Sequence, residues 1–477
     1  MEFLLISLLV VLSLFLRWVI STFPYSGMNT GPMFGDYEAQ RHWQEITINL
    51  PASQWYKNSS DNDLLYWGLD YPPLTAYHSW LVGSVGFMLN QSWVELHGSR
   101  GVESYHHKLF MRYSVLVSDL LVYIPSCLLY SNSFSHKVSW HTLLSLLLYP
   151  GLVIIDHGHF QYNSVSLGFF ILAVAFLDRN RILLGSIAFC LALNYKQMEL
   201  YHAFPFFVYI LGYYFNQKTS YAKRLLGVAC VGIAVIGTFL VCWAPFSHSP
   251  DDVLAVIHRL FPFSRGLFED KVSNFWCSSN VVFKIKTIFT QSTIVSLCLF
   301  TTLLSILPSS VKLLTHPSMI NFKYALVISS LGFFLFSYQV HEKTILVPVV
   351  SSLLIVDQEP FMVALFSITS IFSMLPLLIK DGLLLAYVAT TTALAFVLFA
   401  LYGSNLNNLT KKLLTAATGL GVTILTICAV AVRPPERFPD LWPVLVSLFS
   451  CAHFILYYLY FNYQMIIGHS QHKLKSQ

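Results

Sequence analysis

The chain has 477 residues, of which 55% are hydrophobic and 11% are charged, and its formal net charge is +5. Soluble domains carry about a quarter charged residues, so the composition excludes an ordinary water-soluble protein. The basic residues stand singly in short loops. That distribution excludes a nucleic-acid-binding surface and makes the net charge a marker of membrane topology.

Apolar runs long enough to cross a bilayer, about 20 residues, recur along almost the whole chain. In lipid the backbone must satisfy its own hydrogen bonds, and these runs are too long and uninterrupted for barrel strands. The sequence therefore predicts one all-α polytopic membrane domain over residues 1–477, with about fourteen transmembrane helices. The predicted spans are 3–22, 112–130, 139–155, 164–177, 182–195, 200–215, 225–246, 294–307, 323–340, 345–356, 361–378, 384–402, 413–432 and 441–463.

The first apolar run is interpreted as a retained anchor. It begins after Met1-Glu2 instead of a basic segment, and no small-residue cleavage site follows it, which disfavours a signal peptide. With a cytosolic N-terminus, most loop lysines and arginines fall on the cytosolic side, as the positive-inside rule expects. The C-terminus is then cytosolic too.

This orientation places both long loops, 23–108 and 247–291, on the luminal side. Two glycosylation sequons begin at Asn58 and Asn90 in the first loop, which a luminal position allows. A third, at Asn408, is predicted to be cytosolic and unmodified. Of the eight cysteines only Cys277 lies away from the apolar spans, and no CxxC pair occurs. They are predicted to be small buried hydrophobes, without a disulfide framework or zinc site.

Polar and aromatic motifs concentrate in the predicted luminal segments. Transport pathways are usually marked by ionisable groups inside the spans, so this distribution indicates a function at the membrane surface. The motifs are GDYEAQRHW from Gly35, WGLDYPPL from Trp67, DHGHFQYN from Asp156, RGLFEDK from Arg265 and QVHEK from Gln339.

Taken in order, these motifs resemble the glucosyltransferases of the endoplasmic reticulum that extend the lipid-linked oligosaccharide for asparagine-linked glycosylation. The resemblance runs from about Tyr25 to the last span. It implies a GT-C membrane fold, an endoplasmic reticulum location with a luminal active site, and no metal or other cofactor. It also implies a dolichyl-phosphate-glucose donor, an acceptor oligosaccharide on dolichyl pyrophosphate, and contact with membrane lipid.

Within that family, EAQRHW and WGLDYPP are more similar to members that add the first glucose, in α-1,3 linkage. Members that add the second glucose remain an alternative. Two readings from other classes also stay open, a glycolipid transporter or flippase and an inactive scaffold. A transporter commonly shows related halves and substrate groups at mid-membrane, and neither pattern is visible here. An intact Asp36 argues against the scaffold.

Asp36 is the candidate catalytic base, because it lies just beyond the first span and matches the family's proposed catalytic aspartate. A glycosyl phosphate has a good leaving group, so one carboxylate base suffices. The β-linked donor and α-linked product of the family imply inversion by a single displacement. The alternative is that Asp36 caps the helix that EAQRHWQEI predicts. Asp70 has a similar alternative before Pro72 and Pro73, and the resemblance makes it a contributor to the acceptor site or to the shape of the luminal loop.

A departing phosphate needs positive charge or donors held against it. His341 matches the family's phosphate-contacting histidine, and Glu342 beside it is assigned to the same site. Lys196 and Gln197 end a span on the luminal side and are predicted to reach the donor head group. Snorkelling to the interface would explain the lysine equally well.

Arg265 and Lys271, in the second long loop, are further candidates for contact with the phosphate. Glu269 and Asp270 lie between them, so local ion pairing is the alternative.

His157, His159 and Gln161 are predicted to line a sugar-binding cleft or to join a structural hydrogen-bond network. A metal site with Asp156 is rejected, because two histidines and one carboxylate come without a further ligand at a suitable spacing. Arg17 and Asp119 lie near span ends on the luminal side, where charges within a membrane pair or have a function. A structural ion pair is predicted between them.

Overall fold

The computed structural model describes residues 2–132, 139–261, 271–403 and 408–468. These ranges are helical and contain no β-strand, which confirms the predicted fold class. The helices are α1 (Glu2–Ser21), α2 (Asp36–Asn49), α3 (Pro73–Leu89), α4 (Tyr105–Ser118), α5 (Ile124–Ser131), α6 (Trp140–Leu148), α7 (Pro150–Val153), α8 (Asn163–Asp178), α9 (Ile182–Tyr195), α10 (Leu200–Phe215), α11 (Tyr221–Trp243), α12 (Pro250–Leu260), α13 (Phe275–Phe283), α14 (Ile285–Ile288), α15 (Gln291–Thr315), α16 (Met319–Phe336), α17 (Leu346–Leu353), α18 (Pro360–Ser373), α19 (Leu375–Lys380), α20 (Leu384–Tyr402), α21 (Leu409–Ala431) and α22 (Leu441–Tyr463).

Every one of the fourteen predicted apolar runs lies on helix. Nine helical segments in the described ranges are long and apolar enough to cross a membrane, and three more apolar helices are shorter. The remaining two runs correspond to α10 and α17. The nine long segments are Phe3–Ser21, Tyr105–Ser131, Trp140–Phe160, Tyr221–Phe246, Gln291–Thr315, Met319–Phe336, Leu384–Tyr402, Leu409–Ala431 and Leu441–Ile467.

The helices differ in how much of their surface other helices cover. Helices α8, α16, α17 and α18 supply much of the large hydrophobic core. By contrast, α11 and α21 leave most of their apolar side chains exposed, as expected of helices that face lipid. Five of the eight cysteines are buried as predicted, whereas Cys230 on α11 is exposed and two are half-buried.

Both long loops contain helices of their own, and the first of them holds a buried helix that carries charges. Eleven consecutive residues of α2, from Tyr37 to Thr47, are buried. Arg41 Nη2 lies 2.6 Å from Glu38 Oε1 and 2.7 Å from Glu45 Oε2. Buried charges destabilise a protein unless they are paired. This ion-pair network lets a polar helix pack tightly, and so fixes its N-terminus.

A glycine determines where α2 begins. Gly35 has a φ of 151°, and a Cβ at this position would lie 2.8 Å from the backbone of Ser26 and Gly27. Only glycine adopts such a backbone without strain. The close approach places Asp36, the first residue of α2, beside the ends of the membrane helices.

The predicted pair between Arg17 and Asp119 is present. Arg17 Nε lies 2.5 Å from Asp119 Oδ2, and Arg17 Nη1 donates to the Leu147 carbonyl at 2.7 Å. His157 Nε2 lies 3.0 Å from the same Asp119 oxygen. All three charged or polar side chains are almost completely buried. His157 thus belongs to a structural cluster inside the bundle, and its assignment to a substrate cleft is wrong.

Candidate active site

A cavity of about 1090 Å³ opens where the first long loop meets the ends of the membrane helices. Its wall combines residues that are far apart in the sequence, because loop and helix ends converge there. Eight of the eleven site residues predicted from the sequence line it, namely Asp36, Asp70, His159, Gln161, Lys196, Gln197, His341 and Glu342.

Asp36 lies at the centre of the polar part of this cavity. Its Oδ2 atom is 3.0 Å from His159 Nε2 and 2.5 Å from Lys343 Nζ, and it also accepts a hydrogen bond from Gln161 Nε2. Gly35 occupies the N-cap position of α2, and no side chain caps this helix. The alternative reading of Asp36 as a helix cap is therefore wrong.

The surroundings of Asp36 keep its carboxylate ionised. Burial by itself would raise the pKa of Asp36, but the charge of Lys343 and the hydrogen bonds from Lys343 and His159 lower it well below its usual range. All three bonds to this carboxylate end on Oδ2, and Oδ1 receives none from the described residues. An ionised carboxylate with one uncommitted oxygen facing a cavity can accept a proton from a bound hydroxyl.

His159 lies between two carboxylates. Its Nδ1 atom contacts Asp381 Oδ2, and its Nε2 atom faces Asp36. A carboxylate only accepts hydrogen bonds, so each ring nitrogen of His159 carries the hydrogen that its carboxylate receives. Asp381 thereby fixes the ring orientation of His159, in the way that a buried carboxylate orients a catalytic histidine.

Lys343 and Asp381 were not among the predicted site residues. Lys343 belongs to the QVHEK motif, in which the sequence indicates His341 and Glu342 instead. The signal that could single out Lys343 is its place among the few cations of the predicted luminal loops. Asp381 follows α19 in no recognisable motif, and its only signal is a carboxylate at the end of a predicted span.

Lys196 is a buried cation held by neutral groups. It follows α9, and its Nζ atom donates to Gln161 Oε1 at 3.1 Å and to Asn163 Oδ1. The ammonium also lies 4.8 Å from the centre of the Tyr71 ring. Burial lowers the pKa of Lys196 to about 8. With only 7% of the residue exposed, the snorkelling interpretation is wrong, and the ammonium is placed to attract an anion in the cavity.

Asp70 lines the cavity from the first long loop. Pro72 is the N-cap residue of α3 and no side chain caps that helix, so the alternative role of Asp70 as a cap is wrong. Its backbone carbonyl accepts a hydrogen bond from Gln197 Nε2 at 3.0 Å. This bond ties the first long loop to the segment that carries Lys196.

Two of the remaining predictions concern the second long loop. Lys271 forms an ion pair with Asp440 and does not line the cavity, so its predicted contact with a phosphate is wrong. Lys271 reaches the residue that precedes α22 instead. Arg265 lies outside the described residues.

The DHGHFQYN motif does not gather ligands around one point. Asp156 accepts hydrogen bonds from Asn163 Nδ2 and from the Ser164 backbone, both at 2.7 Å, whereas His157 and His159 face Asp119 and Asp36. Throughout the four described ranges, no group of three or more His, Cys, Asp or Glu side chains has an arrangement that could hold a metal ion.

The helical bundle and its polar cavity define a polytopic membrane protein with the features of an enzyme site: an ionised carboxylate, an oriented histidine and nearby cations. The chain belongs to the ALG6, ALG8 glycosyltransferase family, which it matches over residues 13–460.

Relatives in this family are similar over nearly their full length. The dolichyl pyrophosphate Man9GlcNAc2 alpha-1,3-glucosyltransferase of Gallus gallus is 50% identical over 486 residues, covering 96% of each chain. The proteins of the same name from Mus musculus and Pongo abelii are both 48% identical. The alignments cover 96% of this chain in both cases, and 95% and 96% of those proteins.

Proposed function

We propose that this protein transfers glucose from dolichyl-phosphate-glucose to the Man9GlcNAc2 oligosaccharide on dolichyl pyrophosphate, forming an α-1,3 linkage. The near-complete similarity to relatives named for this acceptor and linkage supports the reaction. The observation that carries the chemistry is the ionised Asp36 carboxylate in a cavity that also holds Lys196 and His341. It is an enzyme, as its family membership indicates.

In this reaction Asp36 is the base. Its Oδ1 atom takes the proton of the acceptor hydroxyl while that oxygen attacks C1 of glucose. The bond between C1 and the phosphate oxygen breaks at the same time, and its electron pair leaves with dolichyl phosphate. A single displacement of this kind inverts the configuration at C1. Lys196 supplies positive charge, and His341 supplies a hydrogen-bond donor, to stabilise the departing phosphate.

The residues that line the cavity are of two kinds, which suit two different substrates. Phe333, Leu346 and Val347 form an apolar part of the wall, which fits the lipid chain of the donor. Trp43 and Trp67, near Asp70 in the first long loop, form an aromatic and polar part that fits sugar rings. The positive-inside pattern of the loops supports a luminal cavity in the endoplasmic reticulum membrane, with both termini in the cytosol.

The test is a transfer assay with purified protein in lipid nanodiscs. We expect glucose to be transferred from dolichyl-phosphate-glucose to lipid-linked Man9GlcNAc2, and expect no transfer from dolichyl-phosphate-mannose. A preference for an acceptor that already carries one glucose would contradict the proposed step and favour the second-glucose enzyme. Movement of the lipid across a bilayer without any transfer would favour a flippase.

Adding a chelator to the same assay is expected to leave the rate unchanged, because dolichyl phosphate departs as a stabilised anion that the cations of the cavity can receive. The comparison is between initial rates with and without excess EDTA. A rate that falls with EDTA and returns with added Mg²⁺ or Mn²⁺ would contradict a metal-independent reaction.

We expect Asp381→Asn to lower kcat about 100-fold, the scale of a misplaced catalytic group. Asparagine has no charge to balance the doubly protonated ring of His159, so the ring loses the support that holds Nε2 towards Asp36. The KM for the donor and the thermal midpoint of unfolding should change little. Asp440→Asn is the matched control, since Asp440 pairs with Lys271 outside the cavity. Equal kcat values for both variants would contradict the orienting role.

A further inference from the structure

Lys343 engages the proposed base directly. Its Nζ atom is 2.5 Å from Asp36 Oδ2 and 3.1 Å from His159 Nε2, and its side chain lines the cavity with about a fifth of its surface exposed. The residue lies in the short helical turn Glu342–Ile345, two positions after His341. The Lys343 ammonium therefore contacts the proposed base, and the residue follows closely after His341, which is assigned to the phosphate.

This contact opposes the role of a base. A general base is most effective when its pKa is near the working pH, but the ammonium of Lys343 holds the pKa of Asp36 far below that range. While the ion pair lasts, the carboxylate has little tendency to take a proton from a sugar hydroxyl. One of the three donors on Oδ2 must withdraw before Asp36 can act.

The structure indicates which donor can leave. His159 is buried and is held through its other ring nitrogen by Asp381. Gln161 is held through its amide oxygen by Lys196. Lys343 carries its charge at the end of a four-carbon chain. Its side chain is more exposed than those of His159 and Gln161. It can exchange one anion for another without disturbing the fold.

Building on the proposed function, we propose that Lys343 moves from Asp36 to the phosphate of the bound donor, so that the base is released only when the donor is in place. The donor phosphodiester carries one negative charge, and the departing dolichyl phosphate gains a second when the C1–O bond breaks. The attraction for Lys343 therefore grows as the reaction proceeds, which stabilises the transition state more than the bound donor.

The proton and charge balance is complete with the groups present. The acceptor O–H bond breaks, and its proton passes to Asp36 Oδ1 as the new O–C1 bond forms. The electron pair of the C1–O(phosphate) bond leaves with dolichyl phosphate, which Lys343 and His341 receive. Lys343 returns to Asp36 when the product leaves and the carboxylate has lost its proton to water. When no donor is bound, Lys343 stays paired with Asp36. Asp36 then does not activate an acceptor hydroxyl that has no glucosyl donor to attack.

The test measures binding of dolichyl phosphate to the full-length protein and its variants in nanodiscs, with no transfer reaction involved. If Asp36 and the phosphate compete for Lys343, Asp36→Asn should bind dolichyl phosphate about tenfold more tightly than the parent. Lys343→Gln should bind it about tenfold more weakly. In the double variant Asp36→Asn/Lys343→Gln the tightening should vanish, because no cation is left to be shared.

Lys271→Gln provides the matched control, since that lysine also pairs with an aspartate but lies outside the cavity; its affinity should equal that of the parent. Thermal unfolding confirms that each variant is folded. Unchanged or weaker binding by Asp36→Asn, or tightening that persists in the double variant, would overturn the exchange of Lys343 while leaving the proposed function standing. A parent protein that neither binds dolichyl phosphate nor transfers glucose would overturn the proposed function itself.

Discussion

Asp36→Asn is expected to lower the turnover number by about 10³-fold or more, within the range seen when a general base is removed. Asparagine has the same shape as aspartate and keeps an oxygen for the hydrogen bonds from His159 and Gln161. It has no negative charge with which to take a proton. The initial rate of glucose transfer measures the effect, and the thermal midpoint shows whether the variant is folded.

Asp61→Asn is the matched control for this experiment. Asp61 belongs to the same long loop, is half exposed and faces His97 at 3.2 Å, away from the cavity wall. Its turnover should stay within about twofold of the parent, the scale of a surface change. If the two asparagine variants turned over at the same rate, Asp36 could not be the base. Another carboxylate of the cavity, Asp70, would then be the next candidate.

Removing one partner of the buried Arg17–Asp119 pair is expected to destabilise the protein by about 3–5 kcal/mol, because an uncompensated charge is left inside the bundle. Asp119→Leu leaves the Arg17 guanidinium with only carbonyl and hydroxyl acceptors, among them Leu147 O. Arg17→Met leaves Asp119 facing His157. Unfolding in mixed micelles, followed by helical circular dichroism, measures both losses.

The double variant Arg17→Met/Asp119→Leu tests whether the two residues act as a pair. Since it removes both charges together, its destabilisation should be smaller than the sum of the single losses by at least about 1 kcal/mol. Lys57→Met/Asp252→Leu, which removes an ion pair whose lysine is 43% exposed, is a matched control and should show little coupling. Simple additivity at Arg17 and Asp119 would contradict a structural ion pair.

The helices could be predicted from the sequence because the length of an apolar run is a local property. Each of the fourteen runs lies on helix, even the short ones at α10 and α17, since a segment without water must form its own backbone hydrogen bonds. The sequence could not show how far each helix is covered by others. Both α8 and α11 have strongly apolar sequences, yet the first is buried in the core and the second is largely exposed.

The motifs predicted part of the site, and the spacing within a motif explains one error. His157 and His159 are two residues apart on the π-helical segment Ile154–Phe160, and side chains at that spacing point in different directions. One therefore reaches Asp119 inside the bundle and the other reaches Asp36 in the cavity. Nothing in the sequence distinguishes the two histidines, because the direction of each depends on how the segment packs.

Partners that are distant in the chain were the hardest to predict. Lys343 and Asp381 acquire their importance from Asp36 and His159, which lie hundreds of residues earlier. Lys271 shows the same difficulty: its neighbours Glu269 and Asp270 suggested a local ion pair or a role at the phosphate, whereas its partner in the structure is Asp440. Such pairs follow from the packing of the whole bundle.

The site combines side chains that are far apart in the sequence, namely Asp36, His159, Lys343 and Asp381. This separation has a consequence for biosynthesis. The ribosome completes Asp36 and the DHGHFQYN segment early, but the residue that orients His159 emerges only at position 381 of 477. A nascent chain that is arrested before residue 381 contains Asp36 and the DHGHFQYN segment. It still lacks the carboxylate that orients His159. Nonsense alleles that stop the chain between the DHGHFQYN segment and position 381 should therefore be as inactive as early ones, even where the truncated product inserts into the membrane and escapes degradation.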